Sequence, residues 1–265
     1  MTDAGASAIV VAPHADGRRV AETAPPRVLV VVPALNEAGS IAGVVAAVLR
    51  DLPTARVLVV DDSSTDGTGR RARLAGATVA RLPYRLGVGG AMRTGYRYAV
   101  THGYDVVVQV DGDGQHDTRH LPELLAALGA ADLVIGARFA GTDPYAVGRA
   151  RRSVMRLLAV VLSRIVGTRL TDVTSGYRAL GPRAVRVFAE NYPAEYLGDT
   201  LEALVIARRC GLTVAQVPVR MNAREHGRPS QGVIGSVLYL SRALAAILLG
   251  LVRRWSVPAT EEGAG

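Results

Sequence analysis

The chain of 265 residues carries a net charge of +8, and all 31 of its Lys-or-Arg side chains are arginines. The lack of lysine excludes a Walker A site and Schiff-base or pyridoxal chemistry, and the single cysteine, Cys210, excludes a disulfide framework and a cysteine-rich metal site. A content of 49% hydrophobic residues predicts a folded body, while 5% aromatic residues and the lack of a recognition motif argue against nucleic acid as the partner of this basic chain.

Short apolar strands alternate with helices through the first half of the chain. The predicted strands cover residues 28–32, 56–60, 77–81, 105–110 and 132–136. The predicted helices cover residues 37–50, 66–75, 87–102 and 121–128, with Asn36 as the N-cap of the first. This alternation is typical of a parallel, doubly wound sheet with helices on its faces.

The second half of the chain is less regular. Helices are predicted at 150–166, 199–209 and 232–254, strands at 177–180 and 214–220, and a polar loop at 222–231. No repeat or linker divides the chain, so we predict one domain at 27–231. A disordered tail at 1–26 precedes this domain, and an amphipathic helix at 232–255 and a second tail at 256–265 follow it.

Polar residues follow the ends of four predicted strands. These residues are Asn36, Glu37, Asp61, Asp62, Asp111, Asp113, Gln115 and Arg138. Ligands of open α/β sheets bind beyond the carboxyl ends of the strands. We therefore expect these acids, amides and the arginine to meet at one edge of the sheet.

Asp111-Gly112-Asp113 follows a strand and precedes a loop. Two carboxylates at this spacing can lie near one cation, and their hard oxygens suit Mg²⁺ or Mn²⁺, with substrate phosphates completing the shell. Gly112 lets a diphosphate approach the backbone. The alternative is a solvated Asp-Gly turn.

The adjacent acids Asp61 and Asp62 repel one another unless donors surround them. A nucleobase or a ribose diol could supply such donors, whereas the simpler interpretation of this stretch is a helix cap. Glu37 could likewise favour a helix N-terminus or bond a ribose hydroxyl. The glycine-rich run at 87–90 fits a helix start better than a phosphate loop.

Five motifs, in chain order, carry a family resemblance. They are Val-Pro-Ala-Leu-Asn-Glu at 32–37, Val-Asp-Asp-Ser-Ser-Thr-Asp-Gly-Thr at 60–68, Asp-Gly-Asp-Gly-Gln-His at 111–116, Gly-Ala-Arg at 136–138 and Thr-Ser-Gly-Tyr-Arg-Ala at 174–179. Together they resemble family 2 glycosyltransferases of the GT-A fold, over about residues 28–232. The branch resembled most is similar to dolichol-phosphate mannosyltransferase, which moves a sugar from a nucleotide donor onto a polyprenyl phosphate.

The resemblance implies roles for individual residues. The implied nucleotide-sugar contacts are Pro33, Leu35, Glu37, Val60, Asp62, Asp111, Gly112 and Arg228. The implied metal ligands are Asp113 and Gln115 together with Asp111, and the implied catalytic residues are Asp113, Arg138 and Arg224. The implied acceptor-phosphate residues are Arg149, Arg152 and Ser153. The resemblance also implies that Arg224 and Arg228 clamp phosphate from a loop. The chain departs from the family pattern just after them, at Pro229-Ser230-Gln231, where relatives often carry a lysine.

A metal and arginines at these positions would stabilise a departing nucleoside diphosphate. An acceptor phosphate is already anionic, so inversion by direct displacement would need no general base. A hydroxyl acceptor would need one, for which Asp199 and Glu202 are candidates, although a helix-surface role suits both. A silent nucleotide-sugar-binding module and a nucleotidyltransferase are further alternatives, and the latter would normally show a basic, glycine-rich loop where residues 33–37 have none.

Residues 233–252 are apolar enough to cross a bilayer but carry Arg242 in the middle. An apolar stripe opposite Arg242 and Arg253 favours a helix that lies in the membrane interface. A core helix and a true span are the alternatives. With no signal-peptide pattern, we predict a peripheral protein on the cytoplasmic face of a membrane.

Overall fold

The computed structural model describes residues 25–138, 149–193 and 199–222. Its strands are β1 (Val28–Ala34), β2 (Arg56–Asp61), β3 (Thr78–Arg81), β4 (Val106–Gln109), β5 (Leu133–Ala137), β6 (Arg178–Leu180) and β7 (Val214–Pro218). Its helices are α1 (Ile41–Asp51), α2 (Thr68–Leu74), α3 (Gly87–Thr101), α4 (Leu121–Ala127), α5 (Arg149–Val166), α6 (Pro182–Asn191) and α7 (Asp199–Arg209). Strand and helix positions thus agree with the sequence to within a few residues for most elements.

The seven strands form one sheet in the order β3-β2-β1-β4-β6-β5-β7. β1 pairs in parallel with β2 and β4, β2 with β3, and β5 with β7. β6 lies between β4 and β5 and is antiparallel to both. The prediction of a parallel, doubly wound sheet is confirmed as a mostly parallel sheet. Among the described strands only β6 is antiparallel to its neighbours, because the chain reaches it from the edge at which β4 and β5 end.

The continuous apolar run of β1 reflects burial on both faces of the sheet. Leu29 and Val31 belong to the core cluster on the face covered by α3, α5, α6 and α7. Val30 and Val32 belong to the cluster on the opposite face, which α1 and α4 cover. Alternate residues of a strand point to opposite faces, so every position of β1 is apolar to serve one core or the other.

Helix α6 was not predicted from the sequence. Pro182 occupies its first turn, where the missing N–H costs nothing. Ala184, Val185 and Phe188 are buried and have helical spacing. The apolar spacing after Pro182 is therefore a sequence signal for this helix.

Within the described parts of the chain, no helix has the length and apolar character that a membrane crossing requires. The predicted helix at 232–255 and the predicted tail at 256–265 lie outside the described residues, as does nearly all of the predicted tail at 1–26.

Gly95 allows α3 to approach β1 closely. A Cβ at this position would lie 2.5 Å from Val31 Cγ1, well inside van der Waals contact. We expect Gly95→Ala to lower the free energy of unfolding by about 1–3 kcal/mol, as overpacking of a core typically does. Urea denaturation measures this change.

Gly43→Ala in α1 is the matched control, because nothing lies within 4 Å of a Cβ added at Gly43. Alanine is the better helix former, so this variant should be unchanged or more stable by up to about 1 kcal/mol. Equal losses in the two variants would contradict the close packing of α3 on β1.

Candidate active site

The carboxyl ends of four strands meet at one edge of the sheet. β1, β2, β4 and β5 end there at Ala34, Asp61, Gln109 and Ala137, and β6 begins there at Arg178. The loops after β1, β2, β4 and β5, together with the loop before β6, therefore surround this edge. The strand ends thus lie together at one edge of the sheet, as expected from the sequence.

The loops after β1 and β2 are joined by hydrogen bonds. Asn36 accepts from the Thr65 N–H through its side-chain oxygen at 2.9 Å, and the Glu37 N–H donates to Thr68 Oγ1 at 2.9 Å. Asn36 has a left-handed backbone with φ of 57°. The prediction that Asn36 caps α1 is wrong, because its side chain serves the neighbouring loop and α1 begins at Ile41, with Ser40 at the cap position.

The two adjacent acids after β2 obtain their donors from the chain itself. Asp61 accepts from the Ser64 N–H at 2.8 Å. Asp62 accepts from the N–H groups of Leu86 and Gly87 at 2.6 and 2.8 Å, so it fixes the start of α3. Both carboxylates are buried. The two adjacent carboxylates thus obtain hydrogen-bond donors without a nucleotide. A nucleotide contact by Asp62 stays a prediction.

The remaining nucleotide residues predicted at β1 and β2 differ in exposure. Pro33, Leu35 and Glu37 are half-buried at the edge of the sheet. Val60 has no exposed surface and lies in the core. Its place in the nucleotide pocket stays a prediction.

Asp111 and Asp113 lie beyond β4, beside the end of β1. A Cβ at Gly112 would lie 3.3 Å from the Pro33 carbonyl oxygen, and Ser40 Oγ donates to the Gly112 carbonyl at 2.7 Å. The absence of a side chain at Gly112 thus lets this loop lie against β1. The Asp111 side chain is 39% exposed, which leaves part of its carboxylate open to a ligand.

The acids beyond β4 fit a hard divalent cation. Asp113 Oδ1 accepts from the Gln115 N–H at 3.0 Å, which places the backbone of Gln115 next to the acid. Two carboxylates and a side-chain amide supply oxygen donors of the kind that Mg²⁺ and Mn²⁺ prefer. Among the residues that the structure describes, no three His, Cys, Asp or Glu side chains cluster as a metal site. Substrate phosphates usually complete the shell of Mg²⁺ in sites with one or two carboxylates.

The chain after β7 runs beside the same loop. Met221 forms an antiparallel bridge with His116. The Asn222 N–H donates to the Gln115 carbonyl at 2.8 Å, and Asn222 Nδ2 donates to the Gly114 carbonyl at 3.2 Å. Arg224 and Arg228 follow in sequence but lie outside the described residues.

Arg138, which follows β5, is bound to a buried carboxylate. Its Nε and Nη2 donate to the two oxygens of Asp172 at 2.6 and 2.9 Å, and Nη2 also donates to Thr174 Oγ1 at 2.8 Å. Burial alone would raise the pKa of the Asp172 carboxyl, but the hydrogen bonds and charge of Arg138 hold that pKa below its ordinary value. The resemblance implies that Arg138 faces the donor phosphates or the acceptor, and this role stays a prediction. Asp172 was not predicted from the sequence, although it lies two positions before the Thr-Ser-Gly-Tyr-Arg-Ala motif.

A family model described as glycosyl transferase family 2 matches residues 29–186. The chain belongs to glycosyltransferase family 2. It is 33% identical to an undecaprenyl-phosphate mannosyltransferase of Micrococcus luteus, over 86% of this chain and 96% of that protein. It is 32% identical to a polyprenol monophosphomannose synthase of Mycolicibacterium smegmatis, over 76% of this chain and 79% of that protein.

Among solved structures, this glycosyltransferase is similar to glucosyl-3-phosphoglycerate synthase of Mycobacterium tuberculosis, in a crystal structure with Mg²⁺ and uridine diphosphate. The TM-score is 0.66 and the identity 25%, over 87% of this chain and 81% of that one. This likeness confirms the GT-A fold that the sequence motifs implied, and the family assignment confirms that the protein is an enzyme.

A groove of about 730 Å³ opens beside Asp113 of the glycosyltransferase. Gly39, Ser40 and Gly43 form part of one wall, and His116 and Asn222 lie in its lining. Its volume lies within the range of small-molecule sites. Of the described residues that were predicted for the site, Asp113 alone lines this groove, and the rest of the lining follows α1 and the turn at 117–119.

The predicted acceptor residues lie at the start of α5. This helix begins at Arg149, so Arg149, Arg152 and Ser153 all fall in its first two turns. Their side chains lie outside the described part of the structure. Their role toward an acceptor phosphate remains a prediction.

Proposed function

We propose that this glycosyltransferase moves a sugar from a nucleotide-sugar donor of the GDP-mannose or UDP-glucose type onto a polyprenyl phosphate, with inversion and with the help of Mg²⁺ or Mn²⁺. The observation that carries the proposal is the half-buried pair Asp111 and Asp113 at the carboxyl edge of the sheet, next to the joined loops after β1 and β2. Both curated relatives named above are, by their names, enzymes of polyprenyl phosphates.

The donor diphosphate is the group that the acids beyond β4 would bind through a cation. Asp113, Gln115 and Asp111 would hold the ion, which when bound supplies a Lewis acid for the leaving diphosphate. Pro33, Leu35, Glu37 and Asp62 would contact the nucleotide from the joined loops, and Gly112, which packs against β1, would meet the sugar nucleotide through its backbone. The bound Mg²⁺ and uridine diphosphate of the solved relative support this arrangement.

The arginines of the proposed site divide into two groups. Arg138 already pairs with Asp172, so we propose that it orders the loop before β6 as well as facing phosphate. Arg224 and Arg228 follow Asn222, whose two hydrogen bonds hold the chain beside the loop of Asp113. From there they would neutralise charge on the departing diphosphate.

The acceptor determines whether a base is needed. A lipid phosphate is anionic near neutral pH, so its oxygen can attack the sugar carbon without losing a proton to the protein. Arg149, Arg152 and Ser153 would hold that phosphate at the N-terminal end of α5, where backbone N–H groups favour an anion. The helix predicted at 232–255 would hold the enzyme to the cytoplasmic face of the membrane, where anionic lipid attracts a basic protein.

The test measures transfer of radiolabelled mannose from GDP-mannose and of glucose from UDP-glucose to undecaprenyl phosphate in detergent. We expect labelled lipid in the organic extract with one donor, and we expect EDTA to remove this activity and Mn²⁺ or Mg²⁺ to restore it. Transfer only to a hydroxyl or a soluble phosphate would favour the alternative acceptor. Thermal stabilisation by a nucleotide without transfer to any acceptor would favour the silent nucleotide-sugar-binding module. If the protein shows no transfer and no stabilisation by any nucleotide, the proposal is overturned.

A further inference from the structure

The carboxylate of Asp111 is held by two side chains that lie outside the predicted ligand set. Gln109 Nε2 donates to Asp111 Oδ1 at 3.3 Å. His116 Nε2 lies 3.5 Å from Asp111 Oδ2. The Asp111 N–H also donates to His116 Nδ1 at 3.0 Å, so one imidazole contacts both the backbone and the carboxylate of this acid.

The contacts of His116 fix which ring nitrogen carries a proton. Nδ1 accepts from the Asp111 N–H and therefore carries no proton in the neutral ring. The proton is then on Nε2, the atom that faces the Asp111 carboxylate. In the neutral ring, the hydrogen bond at Nδ1 thus places an N–H group 3.5 Å from the acid on the other side.

His116 cannot easily turn away from Asp111. Its side chain is 3% exposed, and its ring stacks on Tyr177 with centroids 4.6 Å apart and an interplanar angle of 10°. Burial raises the pKa of the Tyr177 phenol, whose hydroxyl donates to the Asp117 carbonyl at 3.1 Å. The plane of the imidazole is therefore set by a ring that is itself fixed.

Gly176 packs against the side chains of Gln109 and Asp111 and leaves room for both. A Cβ at Gly176 would lie 2.9 Å from Gln109 Nε2 and 3.1 and 3.2 Å from the two carboxylate oxygens of Asp111. Gln109 is 2% exposed, so it has little room to move aside. The loop before β6 thus packs against one side of Asp111, and only glycine fits at position 176 without displacing the Asp111 carboxylate.

We propose that Gln109 and His116 are positioning residues that hold the Asp111 carboxylate in the orientation in which it meets the metal–diphosphate complex. The inference rests on the proposed function, because it assumes that Asp111 binds that complex. A carboxylate free to rotate must be ordered when the ion binds, and loss of such outer partners typically weakens metal binding about 10–100-fold.

The test measures Mn²⁺ binding at equilibrium, from the electron paramagnetic resonance signal of free Mn²⁺, with the nucleoside diphosphate that the donor assay selects. His116→Phe retains a ring for Tyr177 but loses both nitrogens, and we expect its Kd for Mn²⁺ to rise about 10–100-fold. His116→Asn retains an acceptor for the Asp111 N–H and should give an intermediate Kd. Gln109→Met, which removes the other donor, should weaken binding independently.

Two control variants separate positioning from a general loss of structure. His102 stacks on Tyr98 with centroids 3.8 Å apart, and His102→Phe should leave the Kd for Mn²⁺ unchanged. Gly95→Ala is destabilised by overpacking against Val31 and should also bind Mn²⁺ normally once folded. If His116 has a purely structural role, its variants should have lower melting temperatures. Their Mn²⁺ affinities should then not decrease in the order wild type, His116→Asn, His116→Phe.

The outcomes distinguish the two proposals. If wild type binds Mn²⁺ and Asp111→Asn weakens that binding, but His116→Phe and Gln109→Met stay within about twofold of wild type, the positioning inference is overturned and the proposed function stands. If wild type binds no Mn²⁺ with any nucleoside diphosphate, the proposed metal dependence fails and the inference fails with it.

Discussion

Asp113→Asn is expected to lower kcat/KM for sugar transfer by a factor of about 10²–10³ or more. Asparagine retains the oxygen that accepts from the Gln115 N–H, so the turn beyond β4 should persist. It removes the negative charge that we propose for holding the cation on the donor diphosphate. Loss of one preorganised electrostatic partner of a transition state typically has an effect of this size. The measurement is transfer of labelled sugar to lipid at fixed Mn²⁺, with circular dichroism as the check on folding.

Asp105→Asn is the matched control, because it makes the same change just before the other end of β4. Asp105 Oδ2 accepts from the Arg27 N–H at 2.8 Å, at the edge of the sheet opposite to the proposed site. This variant should keep wild-type kcat/KM. A folded Asp113→Asn protein with full activity would refute the metal assignment, and equal losses in both variants would point to an effect on the fold.

The positions of the strand ends could be predicted because local sequence determines them. β1, β2 and β4 are short apolar runs followed by polar residues, and the parallel pairing of such strands brings their carboxyl ends to one edge. Asp113 and Glu37 therefore lie at the same edge of the sheet, although 76 positions separate their numbers in the sequence. The position of a site residue can be predicted from the sequence where it lies in the loop directly after a predicted parallel strand.

The packing of Gly176 and Tyr177 against Asp111 and His116 could not be predicted in the same way. It depends on β6, which enters the sheet antiparallel between β4 and β5 and brings Gly176 and Tyr177 to the acid and to His116. A three-residue strand carries little periodic signal, and its direction follows from the path of the chain after α5. The pairing of Arg138 with Asp172 arises from the same topology.

The donors of buried acids also lie beyond the reach of sequence reasoning. Asp61 and Asp62 looked like ligand contacts because adjacent like charges need donors. The structure provides them through backbone N–H groups, two of which lie 24 and 25 positions later in the chain. Since every residue but proline offers such a donor, no side-chain pattern reveals where one is used.

Asp172→Asn is expected to lower the free energy of unfolding at pH 7 by about 3–5 kcal/mol. The Asp172 side chain is fully buried and that of Arg138 is 17% exposed, so the variant leaves a largely buried guanidinium without its counter-charge. Urea denaturation measures the loss. Glu123→Gln, at an exposed acid 2.8 Å from His120, is the control and should change stability by less than about 1 kcal/mol.

The pH dependence of this loss follows from the direction of the pKa shift. The folded protein holds the pKa of Asp172 below its ordinary value, so the ion pair stabilises the fold fully above the pKa of the unfolded chain and progressively less as pH falls through the folded pKa. The difference between wild type and Asp172→Asn should therefore be constant above about pH 5 and shrink in more acidic solution. If Arg138→Gln is added, removing both charges should recover part of the stability, since the loss of the Asp172 counter-charge beside a largely buried guanidinium is the main cost. A double variant less stable than Asp172→Asn alone, or a difference that persists unchanged into strong acid, would mean that the two side chains contribute through packing and neutral hydrogen bonds instead.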